Sequence, residues 1–546
     1  MKLFQKLLLA PAALGLMAPV AASAADLNIA GVSQYGSEEQ VTSITQFSDV
    51  QPTDWAYQAL SNLIERYGCV AGYPNGTFRG SRAMTRYEAA ALLNACLDRI
   101  TEVTDELKRL MKEFEKELAV LKGRVDGLEA KVAELEATQF STTTKLKGIA
   151  TFVLGANSFG GSNNAIKDAA KTVEGATAFA YDVRLNFDTS FTGKDLLRTT
   201  LRAGNFGDSP WGGAGTVGAN GANLGLNALE VAFQENCGTG MDCGDVVAIN
   251  RLFYQFPVGD KVTVTFGGRV RQDDMLAMWP SVYPADTVLD VFTYAGAPGT
   301  YSLNLGAGAG IWYEDNGWSF SINYVAANGD GGAPGVTPAC AAGESTACGG
   351  IGTSASQETF TAQIGYAAAN WGAAVAYNYG NGVGPASGTP AAVLAGVAAG
   401  SNNSVAVSAY WQPSESGFVP SISAGWGITG YSQYDDGFNF DGPTSNSWYV
   451  GLQWDDAFIK GNALGMAVGQ PTFITNTGRD NRSAQDGNWA WEWWYKFQVT
   501  DNISVTPALY YLSNPLGQFG WDLNGRSNDS APLTNFGGII KTTFKF

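Results

Sequence analysis

Beyond Thr142 the chain alternates apolar and polar residues with a period of two for about 400 residues, and this pattern narrows the possible folds more than any other feature. In Thr177–Phe187 the odd positions carry Thr177, Phe179, Tyr181, Val183, Leu185 and Phe187; the even ones carry Ala178, Ala180, Asp182, Arg184 and Asn186. Lys261–Arg271 sets Val262, Val264, Phe266 and Val270 against Thr263, Thr265, Arg269 and Arg271. Trp318–Tyr324, Phe360–Tyr366, Val405–Trp411 and Trp448–Trp454 behave alike, and Trp489–Val499 aligns six apolar residues on one face. Successive side chains of a strand point to opposite faces. Segments of about ten residues, apolar outward and polar inward, are the signature of a transmembrane barrel.

Composition agrees with a lipid-facing surface that is not helical. Charged residues make up only 15%, against about 25% in ordinary soluble domains, yet the mean hydropathy is -0.06. The one apolar run of membrane-helix character lies at the start. Lys2 and Lys6 precede residues 7–20, and Ala22-Ser23-Ala24 provides a cleavage site, so residues 1–24 read as a secretory signal. An exported chain that enters lipid without helices must close its strands into a barrel, because only closure leaves no unpaired backbone group in hydrocarbon. Short connections (257–260, 314–317, 500–502) alternate with long Gly/Ser/Asn/Asp-rich ones (328–357, 380–403, 470–487, 513–535), matching short periplasmic turns and long outer loops. The expected fold is therefore mostly β: a transmembrane antiparallel β-barrel of about 16 strands over residues 141–546. Eighteen would follow if Thr287–Tyr294 is a strand.

An α-helical portion comes first. After a polar linker (25–46), residues 47–97 contain Phe47-Ser48-Asp49-Val50, then Asp54-Trp55-Ala56 and an amphipathic stretch with Leu60, Leu63 and Ile64 on one face. Gly72-Tyr73-Pro74-Asn75-Gly76-Thr77-Phe78 reads as a tight turn. Thr85-Arg86-Tyr87-Glu88 opens a second helix with a capping box. From Leu93 to Leu135 a heptad runs without a slip: Leu97, Thr104, Met111, Leu118, Val125 and Val132 at a, with Leu93, Ile100, Leu107, Phe114, Leu121, Leu128 and Leu135 at d. Glu117, Arg124 and Lys131 at g oppose Lys122, Glu129 and Glu136 at the following e. This charge pattern favours a parallel, self-associating coiled coil over 98–140. At 1.5 Å per residue the rod is about 65 Å long, a plausible reach from a membrane to a nearby wall layer.

The motifs of residues 47–97 resemble the S-layer homology domain, with its F-x-D-V, W-A, G-Y-x-x-G-T-F and T-R-x-E elements. That resemblance implies attachment to peptidoglycan or its linked polysaccharide, with Asp49, Trp55 and Arg86 at the matching positions. The family often has Pro after the T-F element, where this chain has Arg79-Gly80. One copy is evident, so a full site needs several chains. The last residues alternate Ile540, Thr542, Phe544, Phe546 with Lys541, Thr543, Lys545; a final strand ending on Phe544 and Phe546 resembles the assembly signal of bacterial outer-membrane barrels. The whole layout of signal, S-layer homology domain, coiled coil and barrel is similar to the cyanobacterial outer-membrane porins, whose barrels are grouped with OprB-like carbohydrate-selective porins and some of which are called iron-uptake porins. The resemblance implies an outer-membrane location with the N-terminal domain in the periplasm, a trimer, and passive diffusion of small solutes and inorganic ions. The alternative is a structural tether between outer membrane and cell wall with little conductance.

No catalytic residues, metal site or cofactor are expected. The chain has no His, which removes the commonest general base and metal ligand. Its formal charge of -17 opposes a nucleic-acid partner. Cys237 with Cys243, and Cys340 with Cys348, lie close together in loop sequence and are expected to form small disulfides in an oxidising compartment. Cys69 and Cys96 fit either a bond or two buried thiols. Strand alternation assigns Arg184, Arg198, Arg202, Arg251, Arg269 and Arg271 to the lumen. There they either form a basic strip that favours anions or are neutralised by Asp182, Glu230 and nearby acids that brace the barrel wall. Residues 272–300, with Met275, Met278, Trp279 and Tyr283, fit either a constriction loop or an external cap.

Overall fold

The computed structural model describes residues 43–54, 57–67, 70, 76–78, 112–115 and 143–546, the last stretch without 213–215, 218–221, 236–243, 336–347, 399, 433–440, 479–483 and 519–531. The chain divides into two compact units, Met1–Gln139 and Phe140–Phe546.

In the first unit, Ser43 caps a 3-10 turn at Ile44–Gln46 and α1 spans Tyr57–Tyr67. Ile44, Phe47, Leu60, Ile64 and Val70 form its core, with Val50, Tyr57 and Phe78 packed against them. The Asp49 carboxylate accepts a hydrogen bond from the Phe78 backbone N–H at 2.6 Å, and the Ser48 N–H donates to the Gly76 carbonyl at 2.9 Å. Asp49 thus ties the start of the module to its turn. Trp55, Arg86, Cys69, Cys96 and the signal lie outside the described residues. So does the heptad segment, except for 112–115, which is helical.

In the second unit, sixteen antiparallel strands close into a barrel among the described residues. In chain order they are β1 Thr144–Gly160, β2 Ala178–Thr189, β3 Leu196–Gly204, β4 Ala248–Val258, β5 Val262–Arg271, β6 Leu305–Asp315, β7 Trp318–Ala326 and β8 Glu358–Ala367. The second half comprises β9 Trp371–Asn381, β10 Ser401–Trp411, β11 Ser421–Tyr431, β12 Thr444–Asp455, β13 Ala463–Asn476, β14 Trp489–Thr500, β15 Ile503–Ser513 and β16 Thr534–Lys545. Each strand pairs with its successor, and β1 pairs with β16 to close the ring. Sixteen, not eighteen, is the number because Thr287–Tyr294 makes no strand: it holds an isolated bridge from Leu289 to Leu229 and a 3-10 turn at Asp290–Phe292.

The barrel is inside out relative to a soluble protein. Val375, Val407 and Trp426 stand 48%, 48% and 43% exposed, while Thr359, Thr361, Ser404 and Ser445 are fully buried. Large apolar side chains on the outside and small polar ones within suit a wall between lipid and a polar interior. Strict alternation fails in β5. Phe266 is 51% exposed but Val270 is 0% exposed, so the two do not share a face. The register shifts between Gly267 and Val270 and between Leu252 and Phe253. An extra residue in one strand is a β-bulge, and it inverts the facing of the residues beyond it; here it falls on Gly267-Gly268. Arg269 is thereby paired with Leu252, which is 40% exposed, and its Nε is buried without a hydrogen-bond partner among the described residues, while Arg271 at the strand's end lies against Asp273.

The closing seam uses the C-terminus directly. The Phe546 N–H donates to the Gly148 carbonyl at 2.9 Å, and the Gly148 N–H donates back at 2.6 Å. A Cβ on Gly148 would lie 2.2 Å from the Phe546 ring, so glycine makes the seat for that ring. Phe544 meets Phe152 edge-on at 6.1 Å.

Candidate pore constriction

β6 does not begin directly after β5. Residues 272–304 turn inward and run along the inner face of the barrel, which decides between constriction loop and external cap. The small polar residues of that face form the track. The Ala277 N–H donates to the Ser321 hydroxyl at 2.9 Å, Gln363 Nε2 donates to the Met278 carbonyl at 2.9 Å, and the Val282 and Tyr283 N–H groups donate to the Ser423 hydroxyl at 3.0 Å. Ser408 donates to the Ala295 carbonyl at 2.8 Å and Ser447 to the Gly296 carbonyl at 2.9 Å. A Cβ on Gly425 would sit 1.8 Å from the Ala295 carbonyl oxygen, so only glycine lets the loop backbone lie this close to β11. The wall polar groups that face no water are in this way paired with loop backbone.

At its far end the loop is held by β14 and β16. Fully buried Glu492 accepts from Tyr283 Oη at 2.7 Å and from the Leu289 N–H at 2.7 Å, and Trp494 Nε1 donates to Tyr283 Oη at 2.9 Å. Lys541 Nζ donates to the Thr287 carbonyl at 2.7 Å and also to the Asp286 carbonyl. Described residues of the connection between β3 and β4 enter as well. Leu229 bridges to Leu289, the Glu230 N–H donates to the Val288 carbonyl at 3.2 Å, and Trp211 Nε1 donates to Tyr510 Oη at 3.0 Å on β15.

Between these loops and the wall of β2–β5 lies a polar cavity of about 530 Å³ lined by Arg202, Arg251, Arg271, Glu230, Asp273 and Asp290, with Trp279 and Tyr294. The arginines are paired. Asp182, only 1% exposed, receives Arg184 Nε at 2.7 Å and Arg202 Nε at 2.6 Å. Arg184 also reaches Glu230 at 3.3 Å, Arg251 reaches Asp274 at 2.6 Å, and Arg271 reaches Asp273 at 2.5 Å. Tyr294 donates to Asp290 within the loop, and both line the cavity. The Arg202 guanidinium lies 4.3 Å from the Phe233 ring centroid, and its Nη2 has no hydrogen-bond partner among the described residues. Arg198 sits apart, with Asp188 at 2.8 Å, which Lys147 shares at 3.0 Å. Arg269 joins none of these pairs. The geometry therefore gathers Arg184, Arg202, Arg251 and Arg271 but matches them with acids. The sequence patterns do not mark Asp273, Asp274, Asp290 or Glu492, and place Lys541 only on the polar face of the last strand. The one available signal was Glu492, the lone acid on the inward face of the run Trp489–Trp494.

A second knot ties long connections together. Asp486 accepts from the Thr389 hydroxyl at 2.5 Å, the Ile474 N–H at 2.7 Å and the Gln518 N–H at 2.9 Å, joining three connections. Burial pushes its carboxyl up to about 7. One of the three connections carries α2, Pro390–Ala398, whose Ala391 and Ala392 are fully buried. Cys348 is disulfide-bonded; Cys237, Cys243 and Cys340 lie outside the described residues.

The family model for the carbohydrate-selective porin, OprB family, matches residues 102–546, and that for the S-layer homology domain matches 46–90. The chain is 36% identical to an uncharacterized protein of Nostoc sp. over 93% of this chain and 86% of that one, and 32% identical to one of Synechocystis sp. over 94% and 93%. The outer membrane protein SlpA of Thermus thermophilus is 36% identical over 17% of this chain and 12% of its own. Among solved structures, Pseudomonas putida OprB covers 76% of this chain and 96% of its own at 12% identity and a TM-score of 0.47. This chain belongs to the OprB family of porins and carries an S-layer homology domain ahead of its outer-membrane barrel.

Proposed function

We propose that the protein passes small solutes and inorganic ions by passive diffusion through the gap between residues 272–304 and the wall of β2–β5, while its S-layer homology domain binds peptidoglycan-linked polymer. The observation that carries this reading is a closed barrel whose lumen narrows to a polar cavity lined by both signs of charge. Arg184, Arg202, Arg251 and Arg271 line that path, with Arg198 apart on β3 beside Asp188 and Arg269 beside the β5 bulge. Because Asp182, Glu230, Asp273, Asp274 and Asp290 offset the guanidinium groups, the gap suits hydroxylated neutral solutes and small ions of either sign, with weak ion preference. Fixed donors and acceptors on opposite sides of a gap replace the hydration of a polar solute without binding it as tightly as an unpaired charge would. Trp55 and Arg86 contact the cell-wall polymer, and parallel coiled coils join three chains so that three single modules build one binding surface.

Planar-bilayer conductance of the purified assembly, with liposome swelling in sugars of graded size, tests the pore. Sedimentation with purified cell walls, before and after Arg86→Ala, tests the tether. A second reading has its own support: described residues of the connection between β3 and β4, 272–304 and the segment carrying α2 all enter or cap the lumen, which fits a membrane rivet of little conductance. Absence of both conductance and swelling would favour it.

A further inference from the structure

Seven turns join strands at the barrel end where the chain enters and leaves, and two adjacent ones are the longest: 412–420 between β10 and β11, and 456–462 between β12 and β13. Their tips carry apolar side chains in the open. Phe418 is 95% exposed, Phe458 88%, Val419 53% and Ile459 61%. These turns are built, not slack. The Ser416 hydroxyl donates to Asp456 at 2.8 Å and so links one turn to the other. Trp454 Nε1 donates to the Phe418 carbonyl at 2.8 Å, Tyr495 Oη donates to the Ala457 carbonyl at 2.8 Å, and Asn462 Nδ2 donates to Tyr495 Oη at 3.0 Å. Asp456 and Phe458 both adopt left-handed backbone conformations, with φ of +54° and +62°. A bulky aromatic there is a costly choice that the surrounding bonds must enforce.

The strain aims Phe458 at a particular surface. Its ring lies 5.9 Å from that of Tyr495, which lies 4.5 Å from that of Phe497, on the outward face of β14. Trp454, the anchor of the other turn, is on the outward-facing register of β12. The exposed residues thus continue the lipid-facing wall past the last paired residues of the strands, toward the periplasm. Lys460 comes directly after the Phe458-Ile459 pair on the same turn, placing a cation where phospholipid phosphates lie. Glu415, Asp455 and Asp456 are the other charges of the two turns. Asp456 is occupied by Ser416 and the Gly461 N–H, and Asp455 accepts from Gln453.

We infer that the paired turns 412–420 and 456–462 form an apolar prong that inserts Phe418, Val419, Phe458 and Ile459 into the headgroup–acyl boundary of the inner leaflet. The prong fixes how deep and how tilted the barrel sits under load from the cell wall. The occupant is phospholipid rather than a protein, because the Phe458 ring leans against Tyr495 on the lipid-facing wall and the backbone of the Phe418 turn is bonded to Trp454 of that same wall. The test replaces Phe418 and, separately, Phe458 in the full chain with the photo-crosslinker p-benzoyl-phenylalanine and irradiates intact outer membranes. The expected result is adducts of phospholipid mass at both positions, several-fold more abundant than with the crosslinker at Glu415 on the same turn. Crosslinks to a second copy, to the protein's own N-terminal unit or to another protein would overturn the inference, as would lipid yields at both positions no higher than at Glu415. Conversion to heat-modifiable migration confirms that each variant has folded before irradiation. A chain that fails to conduct but gives lipid adducts would refute the pore reading and leave this one standing.

Discussion

Replacing Glu492 with Leu should loosen the constriction loop without unfolding the barrel. The carboxylate is fully buried and is the acceptor for two loop donors, Tyr283 Oη and the Leu289 N–H, both at 2.7 Å. Leu nearly fills the volume but offers no acceptor, so both donors are stranded. An unpaired buried donor costs about 1–3 kcal/mol, giving about 2–6 kcal/mol for the pair. At about 3 kcal/mol the population with residues 283–289 detached from β14 rises roughly 100-fold, since about 1.4 kcal/mol is a factor of ten. Lys541 still holds the 286 and 287 carbonyls and Ser423 still receives Val282, so the loop frays locally and does not leave. Single-channel recordings should show a higher mean conductance with added flicker. Glu492→Gln keeps one acceptor oxygen and should fall between. A Glu492→Leu channel that folds, inserts and conducts with the size and noise of the parent would refute the idea that this carboxylate pins the loop.

Three further perturbations separate parts of the argument. Asp182→Asn removes the carboxylate shared by Arg184 and Arg202; Arg184 keeps Glu230 at 3.3 Å, and Arg202 has no other ion pair among the described residues, so the reversal potential in a KCl gradient should move toward anion preference. Gly148→Val would overpack the closing seam against Phe546, at a cost of about 1–3 kcal/mol, and the temperature at which the heat-modifiable form is lost should drop. For Asp486 the sign comes from burial: its carboxyl is raised to about 7, so the folded protein keeps a proton that an unfolded chain gives up near pH 4. The stability it lends the three joined connections is complete below that pH and is lost as pH climbs to about 7; protease nicking of the outer connections should therefore increase between pH 4 and 8, and Asp486→Asn should flatten that rise.

Much of the barrel is legible in the sequence because a strand's facing depends on parity alone. Trp489, Trp491 and Trp493 declare the outward face of β14, and Glu492 and Trp494 are assigned inward by default. What parity cannot see is a bulge. Nothing between Thr263 and Arg271 marks where the count slips except Gly267-Gly268, and two glycines in a glycine-rich chain are a weak signal. Parity counted from Val262 puts Val270 on the outward face for that reason, and the bulge turns it in, 0% exposed. The constriction loop is equally opaque. Its direction is set by hydroxyls on β10–β12, more than a hundred residues away, whose individual letters look like any polar lumen residue. The acids of the constriction are hidden differently: Asp273, Asp274 and Asp290 sit in a segment with no period, where position carries no information about facing.

Tethering and permeation make demands on different strands. Any pull on residues before 143 enters the barrel at β1, since that is where the chain joins it. β1 is also the seam: Thr144–Gly155 pairs with β2 and Ile149–Gly160 pairs with β16, so Ile149–Gly155 is bonded on both sides. A force along β1 shears both ladders in parallel, the geometry in which many hydrogen bonds must fail together. Phe546 locks the point of entry by pairing with Gly148 in both directions. The constriction loop, by contrast, is fastened to β7–β16 by bonds that do not involve β1. β1 does reach the gap: Asn157 Nδ2 donates to the Pro210 carbonyl of the inward connection at 3.2 Å, Val153 packs in one buried cluster with Leu229 and Leu289, and Asp182 and Arg184 lie on its neighbour β2. Load on the tether and the width of the gap are in this way coupled through these few side chains of β1 and β2. Conductance should change little under a pull that leaves the Asn157 and Val153 contacts in place, and should shift once they break.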